Sequence, residues 1–179
     1  MIIIVGASAS GKTEITKMLI KKYNYHKCVT TTTREPRVGE INGVDYHFLP
    51  MPVFIERVNN DEFVEYNYYR DNYYGIQRKD ITKDAVVILE PNGANELLEK
   101  MGDDIFLVLV ESSLKNREAR MINRGDNLDE IKKRLASDDK LFAKRKLIKI
   151  DLLINNQDQT LEELATLIHT KYVDFLKQN

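Results

Sequence analysis

The stretch Ile2-Ile3-Ile4-Val5-Gly6-Ala7-Ser8-Ala9-Ser10-Gly11-Lys12-Thr13 decides the fold of this chain. Its opening run, Ile2 to Val5, is continuously β-branched, which is typical of a strand buried inside a parallel sheet. After Lys12, apolar residues recur at helical spacing, at positions 15, 18 and 19. The glycines between these segments let the loop wrap closely around an anion, with backbone N–H groups and the positive end of the helix facing it. The stretch therefore predicts a strand, a phosphate-binding loop and a helix in succession.

Two side chains of this loop carry its chemistry. Lys12 is expected to reach the β- and γ-phosphates of a nucleoside triphosphate, and Thr13 to ligate Mg²⁺ through its hydroxyl. The alternative is a Gly- and Ser-rich turn with a surface lysine. The strand and the amphipathic helix on either side argue against that alternative.

Strands and helices alternate along most of the remaining chain. Apolar runs predict strands at 86–89, 105–110 and 152–154, with a further possible strand at 26–30. Helical patterns cover 94–101, 114–122, 129–146 and 161–176. Strands separated by helices of this length predict βαβ units and a mostly parallel sheet.

Residues 32–83 interrupt this alternation. Gly, Asn and Pro separate short apolar segments there, and tyrosines are dense between positions 66 and 75. We interpret the region as an inserted subdomain and its tyrosines mainly as packing residues. Within it, Arg34 and Arg37 lie three residues apart with Tyr46 downstream, so the three side chains can converge on one phosphate. Two phosphate sites in one small domain predict phosphoryl transfer between two nucleotides.

Composition narrows the function further. The 179 residues fit one domain, and the formal net charge of −1 lacks the basic excess of nucleic-acid-binding or membrane-surface proteins. The single cysteine, Cys28, cannot form an internal disulfide, which favours a reducing, cytoplasmic location. The apolar run at the start is too short for a signal peptide or a membrane span.

The pattern Thr32-Thr33-Arg34-x-Pro36-Arg37-x-Gly39-Glu40-x-x-Gly43-x-x-Tyr46-x-Phe48 resembles the signature of guanylate kinases. So does Asn72-Tyr73-Tyr74-Gly75, preceded by Phe63-Val64-Glu65, and the resemblance extends from Ile2 to about Tyr172. It implies an α/β P-loop kinase fold with three α/β/α layers and a five-stranded parallel sheet. The core would comprise 1–31, 84–123 and 135–179, the acceptor-binding insertion 32–83, and a short lid 124–134.

The resemblance also implies an activity and its site residues. The reaction would be Mg²⁺-assisted phosphorylation of GMP, and of dGMP, by ATP. The ATP-binding residues would be Gly6, Ala7, Ser8, Ala9, Ser10, Gly11, Lys12, Thr13 and Asn155, with Thr13 as the metal ligand. The GMP-binding residues would be Thr30, Arg34, Arg37, Tyr46, Glu65, Tyr74 and Asn92. The catalytic residues would be Lys12, Arg34, Arg120, Arg124 and Arg134.

Elementary chemistry supports these assignments. A phosphoryl group in flight spreads negative charge over three oxygens, so catalysis is mostly positioning by cations. Arg120 and Arg124 are four residues apart and share one helix face. An ionised Glu65 can accept hydrogen bonds from the ring N–H and the exocyclic amine of guanine, whereas adenine presents a bare ring acceptor there.

Other positions have plainer interpretations or depart from the family pattern. We interpret Arg117, Lys132 and Lys133 as solvated helix residues, and Glu65 has the alternative of an outward strand position. Ala9 stands where glycine is usual, which is tolerable if its φ stays negative. Ile76 replaces a small hydroxyl residue and Glu90-Pro91-Asn92 replaces Asp-x-Asp. The last two changes predict looser base discrimination.

Two other functions stay open. One is a related kinase that acts on a different acceptor, such as a deoxynucleotide or inosine monophosphate. The other is an inactive guanylate-kinase-like module that presents its acceptor groove to a phosphorylated partner, against which Lys12 and Thr13 argue. The expected partners are ATP and GMP, with no nucleic acid and no membrane, in a monomer or homodimer.

Overall fold

The computed structural model of the protein describes residues 1–69 and 71–178. Fifteen helices and strands follow one another along these residues. In chain order they are β1 (Ile2–Val5), α1 (Lys12–Tyr23), β2 (His26–Lys27), β3 (Thr31–Thr32), β4 (His47–Phe48), α2 (Met51–Asn59), β5 (Phe63–Tyr69), β6 (Asn72–Gln77), β7 (Ala85–Ile88), α3 (Pro91–Met101), β8 (Phe106–Glu111), α4 (Leu114–Asn123), α5 (Leu128–Leu141), β9 (Leu152–Asn155) and α6 (Leu161–Gln178).

The core is a five-stranded sheet in the order β2-β7-β1-β8-β9, with every neighbouring pair parallel. β1 lies at its centre, and all four of its residues are completely buried. Ile2 and Ile4 pack on the side of α1 and α6, whereas Ile3 and Val5 pack on the side of α3. This arrangement confirms the three-layer α/β/α fold with a parallel sheet, since a strand covered on both faces requires apolar residues throughout.

A second sheet of four strands, in the order β4-β3-β6-β5, lies within residues 31–77. Its β3–β6 and β5–β6 pairs are antiparallel and its β3–β4 pair is parallel. α2 places the fully buried Phe54 against this sheet, where it stacks on Phe63 and Tyr73 with ring centroids 4.4 Å and 5.4 Å away. Tyr73 thus serves in packing, as expected, whereas Tyr66 is 43% exposed and meets Phe54 only at the ring edge. The boundaries of the proposed insertion and lid stay predictions.

The expectation of one helix over 129–146 was wrong. α5 ends at Leu141, the backbone of Ala143 is extended, and a short 3₁₀ turn covers Lys144–Lys146. Phe142 and Leu147 turn inward against the core beside α3, which requires the chain to leave the helical path between them. The charged run continues across this break, so the pattern of charges hides it. No helix among residues 1–69 and 71–178 has the length and apolar character needed to cross a membrane.

Candidate active site

The loop between β1 and α1 is tightly packed, both against a neighbouring side chain and by a hydrogen bond within the loop. Gly11 has φ of +107°, and a Cβ at this position would lie 2.2 Å from the side-chain nitrogen of Asn156. Only glycine fits there without displacing that side chain. The Lys12 ammonium crosses the loop and donates a hydrogen bond to the Ala7 carbonyl over 2.8 Å. Burial lowers the pKa of Lys12 to about 8, with the charge of Asp138 opposing the shift.

Ala9 has φ of +58°, so the negative φ that would make alanine tolerable at this position is not found. A left-handed conformation brings Cβ close to the carbonyl oxygen, at a cost of roughly 1–2 kcal/mol. The loop retains its shape because neighbouring contacts hold it there. Arg120 donates to the Ala9 and Ser10 carbonyls over 3.1 Å and 3.3 Å.

Arg117 is not a solvated helix residue, and that interpretation was wrong. Its side chain is only 3% exposed and pairs with Asp138 on α5 over 3.2 Å. Its Nε donates to the Ser8 carbonyl over 3.0 Å, and Asp138 accepts from the Ser8 N–H over 2.6 Å. The sequence does not reveal this pair because its members lie on different helices, each within a run of charged residues.

Asn156 is a second loop contact that sequence analysis missed. It follows β9, is 3% exposed, and donates from its side chain to the Ser10 carbonyl over 2.8 Å. Arg120 also donates to the Asn156 backbone carbonyl, over 3.4 Å. The neighbouring Asn155 was the predicted residue at this strand end. The only feature of the sequence that pointed to Asn156 was a second amide directly after it.

A cavity of about 340 Å³ opens beside the loop. It brings together three predicted ATP-binding residues, namely Gly6, Ala7 and Asn155. Arg117, Asp138 and Gln157 also line it. Lys12 and Thr13 lie at the start of α1, where the helix N-terminus adds its positive end to the loop.

Arg124 and Arg134 lie apart from the loop contacts made by Arg120. Both pair with Asp126 in the connection between α4 and α5, Arg134 over 3.5 Å and Arg124 through a bidentate contact. The hydrogen bonds from Arg124 hold the pKa of Asp126 below its ordinary value. The Asp126 carboxylate thus contacts two of the predicted catalytic arginines, one at the end of α4 and one on α5.

A second cavity, of about 320 Å³, lies between the two sheets. Five predicted GMP-binding residues line it: Thr30, Tyr46, Glu65, Tyr74 and Asn92. Thr30 and Tyr46 directly precede β3 and β4, Glu65 and Tyr74 lie in the β5–β6 hairpin, and Asn92 lies in the first turn of α3. Asn67, Tyr68, Ile88, Leu89, Glu90 and Gly93 complete the lining.

Glu65 is the buried carboxyl of this cavity, with 3% of its surface exposed, so the alternative of an outward strand residue was wrong. The register of β5 against β6 shifts between Phe63 and Glu65, and such an irregularity re-aims side chains. Burial raises the pKa of Glu65 to about 8, and the charge of Glu96 adds to that shift. Lys100 and a hydrogen bond from Asn67 oppose it.

Arg34 and Arg37 are not among the described residues that line this cavity. Both guanidinium contacts of Arg34 to Glu40 measure 2.9 Å, and the guanidinium carbon lies 5.4 Å from the centre of the Tyr46 ring. Arg37 is exposed, and its backbone N–H donates to Glu40 over 2.7 Å. Glu40 thus holds the loop that carries both arginines, and this role went unnoticed in the sequence.

Comparisons with known proteins agree on one family. Residues 1–171 match the family model described as guanylate kinase. The guanylate kinase of Clostridioides difficile strain 630 is 32% identical over 167 residues, covering 88% of this chain and 80% of that protein. The guanylate kinase of Clostridium perfringens strain SM101 is 34% identical over 137 residues, which cover 73% of this chain. The matched part spans only 63% of that relative's length.

The fold has a solved counterpart. The crystal structure of guanylate kinase from Anaplasma phagocytophilum superposes with a TM-score of 0.66 and 24% sequence identity. The alignment covers 97% of this chain and 85% of that structure. The likeness therefore includes both sheets rather than the parallel sheet alone.

Proposed function

Because the chain belongs to the guanylate kinase family, we propose that it transfers the γ-phosphoryl group of ATP to GMP or dGMP. The observation that carries the proposal is the cavity between the two sheets, where the buried Glu65 carboxyl lies with Thr30, Tyr46 and Tyr74. A carboxylate can accept two hydrogen bonds side by side, and guanine offers a ring N–H and an exocyclic amine on one edge. Adenine would place a ring acceptor against the same oxygens.

The donor half of the proposal rests on the loop before α1. Its backbone N–H groups and Lys12 would hold the β- and γ-phosphates, and Asn155 would lie beside the adenine. The Lys12 pKa of about 8 belongs to a desolvated ammonium. Phosphate oxygens close to Nζ would favour the charged form and raise this pKa.

Mg²⁺ is proposed as the companion of ATP. The Thr13 hydroxyl is exposed in the first turn of α1, so it is available as one oxygen ligand beside Lys12. Mg²⁺ in kinases takes most of its other ligands from nucleotide phosphates and water. When bound, the ion would neutralise charge on the phosphates. The protein side chains would position the two nucleotides.

The arginines would contact different parts of the transferring group. Arg34 and Arg37 would hold the acceptor phosphate, which requires Arg34 to share or leave Glu40. Arg120 already lies against the phosphate loop, whereas Arg124 and Arg134 would approach only when the connection between α4 and α5 moves inward. That closure would also exclude water, which prevents hydrolysis of ATP.

The broader predictions remain proposals. A cytoplasmic location and a monomer or homodimer that binds neither nucleic acid nor membrane rest on composition. A kinase for a different monophosphate would keep the same donor loop and differ at Glu65 and its neighbours. An inactive binding module would have no use for Lys12 in its desolvated position.

The deciding experiment is an ADP-release assay with Mg-ATP and a panel of GMP, dGMP, IMP, AMP, CMP and UMP. The proposal expects GMP and dGMP to be the best substrates, with AMP and the pyrimidine nucleotides negligible. A preference for AMP or a pyrimidine nucleotide would refute the guanine assignment alone. An absence of turnover with every member of the panel, despite GMP binding, would favour the inactive module.

A further inference from the structure

Asn67 occupies a position beside Glu65 that its place in the sequence does not reveal. It lies two residues after Glu65 on β5, and alternate residues of a strand share one face. Its side-chain nitrogen donates to Glu65 Oε2 over 3.1 Å, and it lines the same cavity. Its partner across the hairpin is Tyr74, another residue of the cavity wall. Asn67 is therefore part of the surface that meets an acceptor base.

Ile76 contributes nothing to that surface. It pairs with Glu65 across the hairpin, yet its side chain is completely buried in the core beside α3. The polar contact that a small hydroxyl at position 76 would supply is thus missing from that strand. The amide of Asn67 donates a hydrogen bond to Glu65, so the cavity retains a second hydrogen-bonding group.

We propose that Asn67 determines base specificity in the acceptor site. Its amide N–H orients the Glu65 carboxyl, and its carbonyl oxygen accepts a hydrogen bond from the exocyclic amino group of the bound purine. None of the residues that the structure describes donates to this oxygen, which leaves it available to a ligand. This inference rests on the proposed function and specifies its substrate as a purine monophosphate with both a ring N–H and a neighbouring amine.

The chemistry separates three purines that share a ring N–H. Guanine presents the amine that Asn67 would accept, hypoxanthine has only a C–H there, and xanthine has a carbonyl oxygen that would face another oxygen. A site built around a hydrogen bond rejects an analogue that lacks it, because its own polar group is left unpaired. IMP and XMP should therefore be poor substrates, which reverses the looser discrimination expected from Ile76.

Asn67 also acts on the ionisation of Glu65. The charged groups that influence the pKa of this carboxyl are Glu96 and Lys100 on α3. The charge of Glu65 in turn raises the pKa of the nearby Cys28 thiol. A hydrogen bond donated to a carboxylate favours the ionised form. Loss of the Asn67 amide should therefore raise the pH at which GMP binding reaches half of its maximum.

The test uses the full chain with Asn67→Leu, which is close in size but apolar, and Asn67→Ala. Isothermal titration gives the affinities for GMP and IMP, and the ADP-release assay gives kcat/KM for both. We expect each variant to lower the GMP-to-IMP ratio at least about 10-fold, mainly through weaker GMP. The KM for ATP should not change. Asn59→Leu, an exposed asparagine on α2, is the matched control.

Two results would overturn the inference. One is an unchanged GMP-to-IMP ratio in folded Asn67 variants. The other is a pH profile of GMP binding that does not shift in these variants, which would make Asn67 a structural residue only. Wild-type protein that binds neither nucleotide would refute the proposed function as well. Wild-type protein that phosphorylates GMP while its Asn67 variants keep the ratio would refute the inference alone.

Discussion

Arg117 and Asp138 form a buried ion pair that binds both backbone polar groups of Ser8 in the loop between β1 and α1. Their side chains are 3% and 8% exposed and lie 3.2 Å apart. Asp138 accepts from the Ser8 N–H, while Arg117 donates to the Ser8 carbonyl. The pair thus links α4 and α5 to the loop that would hold ATP. These helices and the connection between them carry three of the four predicted catalytic arginines, at positions 120, 124 and 134.

Removing one member of this pair should lower the free energy of unfolding more than replacing both members with apolar residues. Arg117→Leu leaves the Asp138 charge buried without its partner, so the free energy of unfolding should fall by about 3–5 kcal/mol. The double variant Arg117→Leu/Asp138→Leu removes both charges and should lose less than the single variant. Denaturant unfolding measures both values. Asp139→Ala, which removes the more exposed partner of Arg117, serves as the control and should change stability by less than about 1 kcal/mol. A double variant less stable than Arg117→Leu would contradict the prediction.

Lys12 should act on the transition state more than on binding. Lys12→Met removes a cation that faces charge developing during transfer, so kcat should fall by at least about 100-fold while GMP affinity stays within a few fold. Steady-state kinetics and GMP titration provide the two readouts. Lys17→Met is the matched control, because Lys17 lies on the exposed face of the same helix and pairs with Glu14. Turnover close to wild type in Lys12→Met would remove this loop from the catalytic machinery.

Arg34 and Arg37 should require a guanidinium rather than a positive charge. Arg34→Lys and Arg37→Lys should each weaken GMP binding at least several fold, since an ammonium cannot donate two parallel hydrogen bonds to a phosphate. ATP affinity should remain as in the wild type. Arg78→Lys, in the same region but paired with the exposed Asp61, should leave both affinities unchanged. Calorimetric losses of equal size for ATP and GMP would place the two arginines outside the acceptor site.

Glu65 should make GMP binding dependent on pH. Its pKa of about 8 means that the carboxyl is mostly protonated at pH 7 in the nucleotide-free protein. Guanine donates two hydrogen bonds, which favour the ionised form, so GMP affinity should rise as pH increases from 6 to 8 and binding should release a proton. Calorimetry in buffers of different ionisation enthalpy measures that proton. GMP affinity that stays flat over this range would exclude titration of Glu65.

The Glu65 carboxyl should also make stability depend on pH, but stability should fall as pH rises, whereas GMP affinity should increase. The folded protein binds the Glu65 proton more tightly than the unfolded chain, whose pKa is near 4.5. Its contribution to stability is therefore complete below about pH 4.5 and declines as pH rises towards 8. Glu65→Gln should remove this decline in nucleotide-free protein. Unfolding curves at pH 5 and pH 8 for both proteins reveal it as a difference in their pH dependence.

Ala9 offers a gain in stability. Because its φ is +58°, Ala9→Gly relieves the Cβ contact and should raise the free energy of unfolding by about 0.5–1 kcal/mol after the greater chain entropy of glycine is subtracted. Ala7→Gly is the control, since Ala7 is not among the residues with positive φ and glycine there should lower stability. Thermal unfolding compares the two. Destabilisation by Ala9→Gly would mean that the left-handed backbone carries no strain.

The sequence by itself determined the features that depend on neighbouring residues. The β-branched run before Gly6 and the helical spacing after Lys12 specify β1, the loop and α1 through local backbone and burial requirements. The phosphate site predicted for the segment from Arg34 to Tyr46 likewise depends on residues within a short span. Such features can be predicted from the sequence because each residue is constrained by residues only a few positions away.

Only the tertiary structure decided the contacts that join distant segments. Arg117 meets Asp138 across two helices, Asn156 meets Ser10 from the far end of the chain, and the shifted register of β5 turns Glu65 inward. In the sequence these residues resemble ordinary surface charges, a loop amide and an outward strand position. Their roles depend on which elements pack together, because burial and partners, rather than residue type, set the protonation and the geometry of a polar side chain.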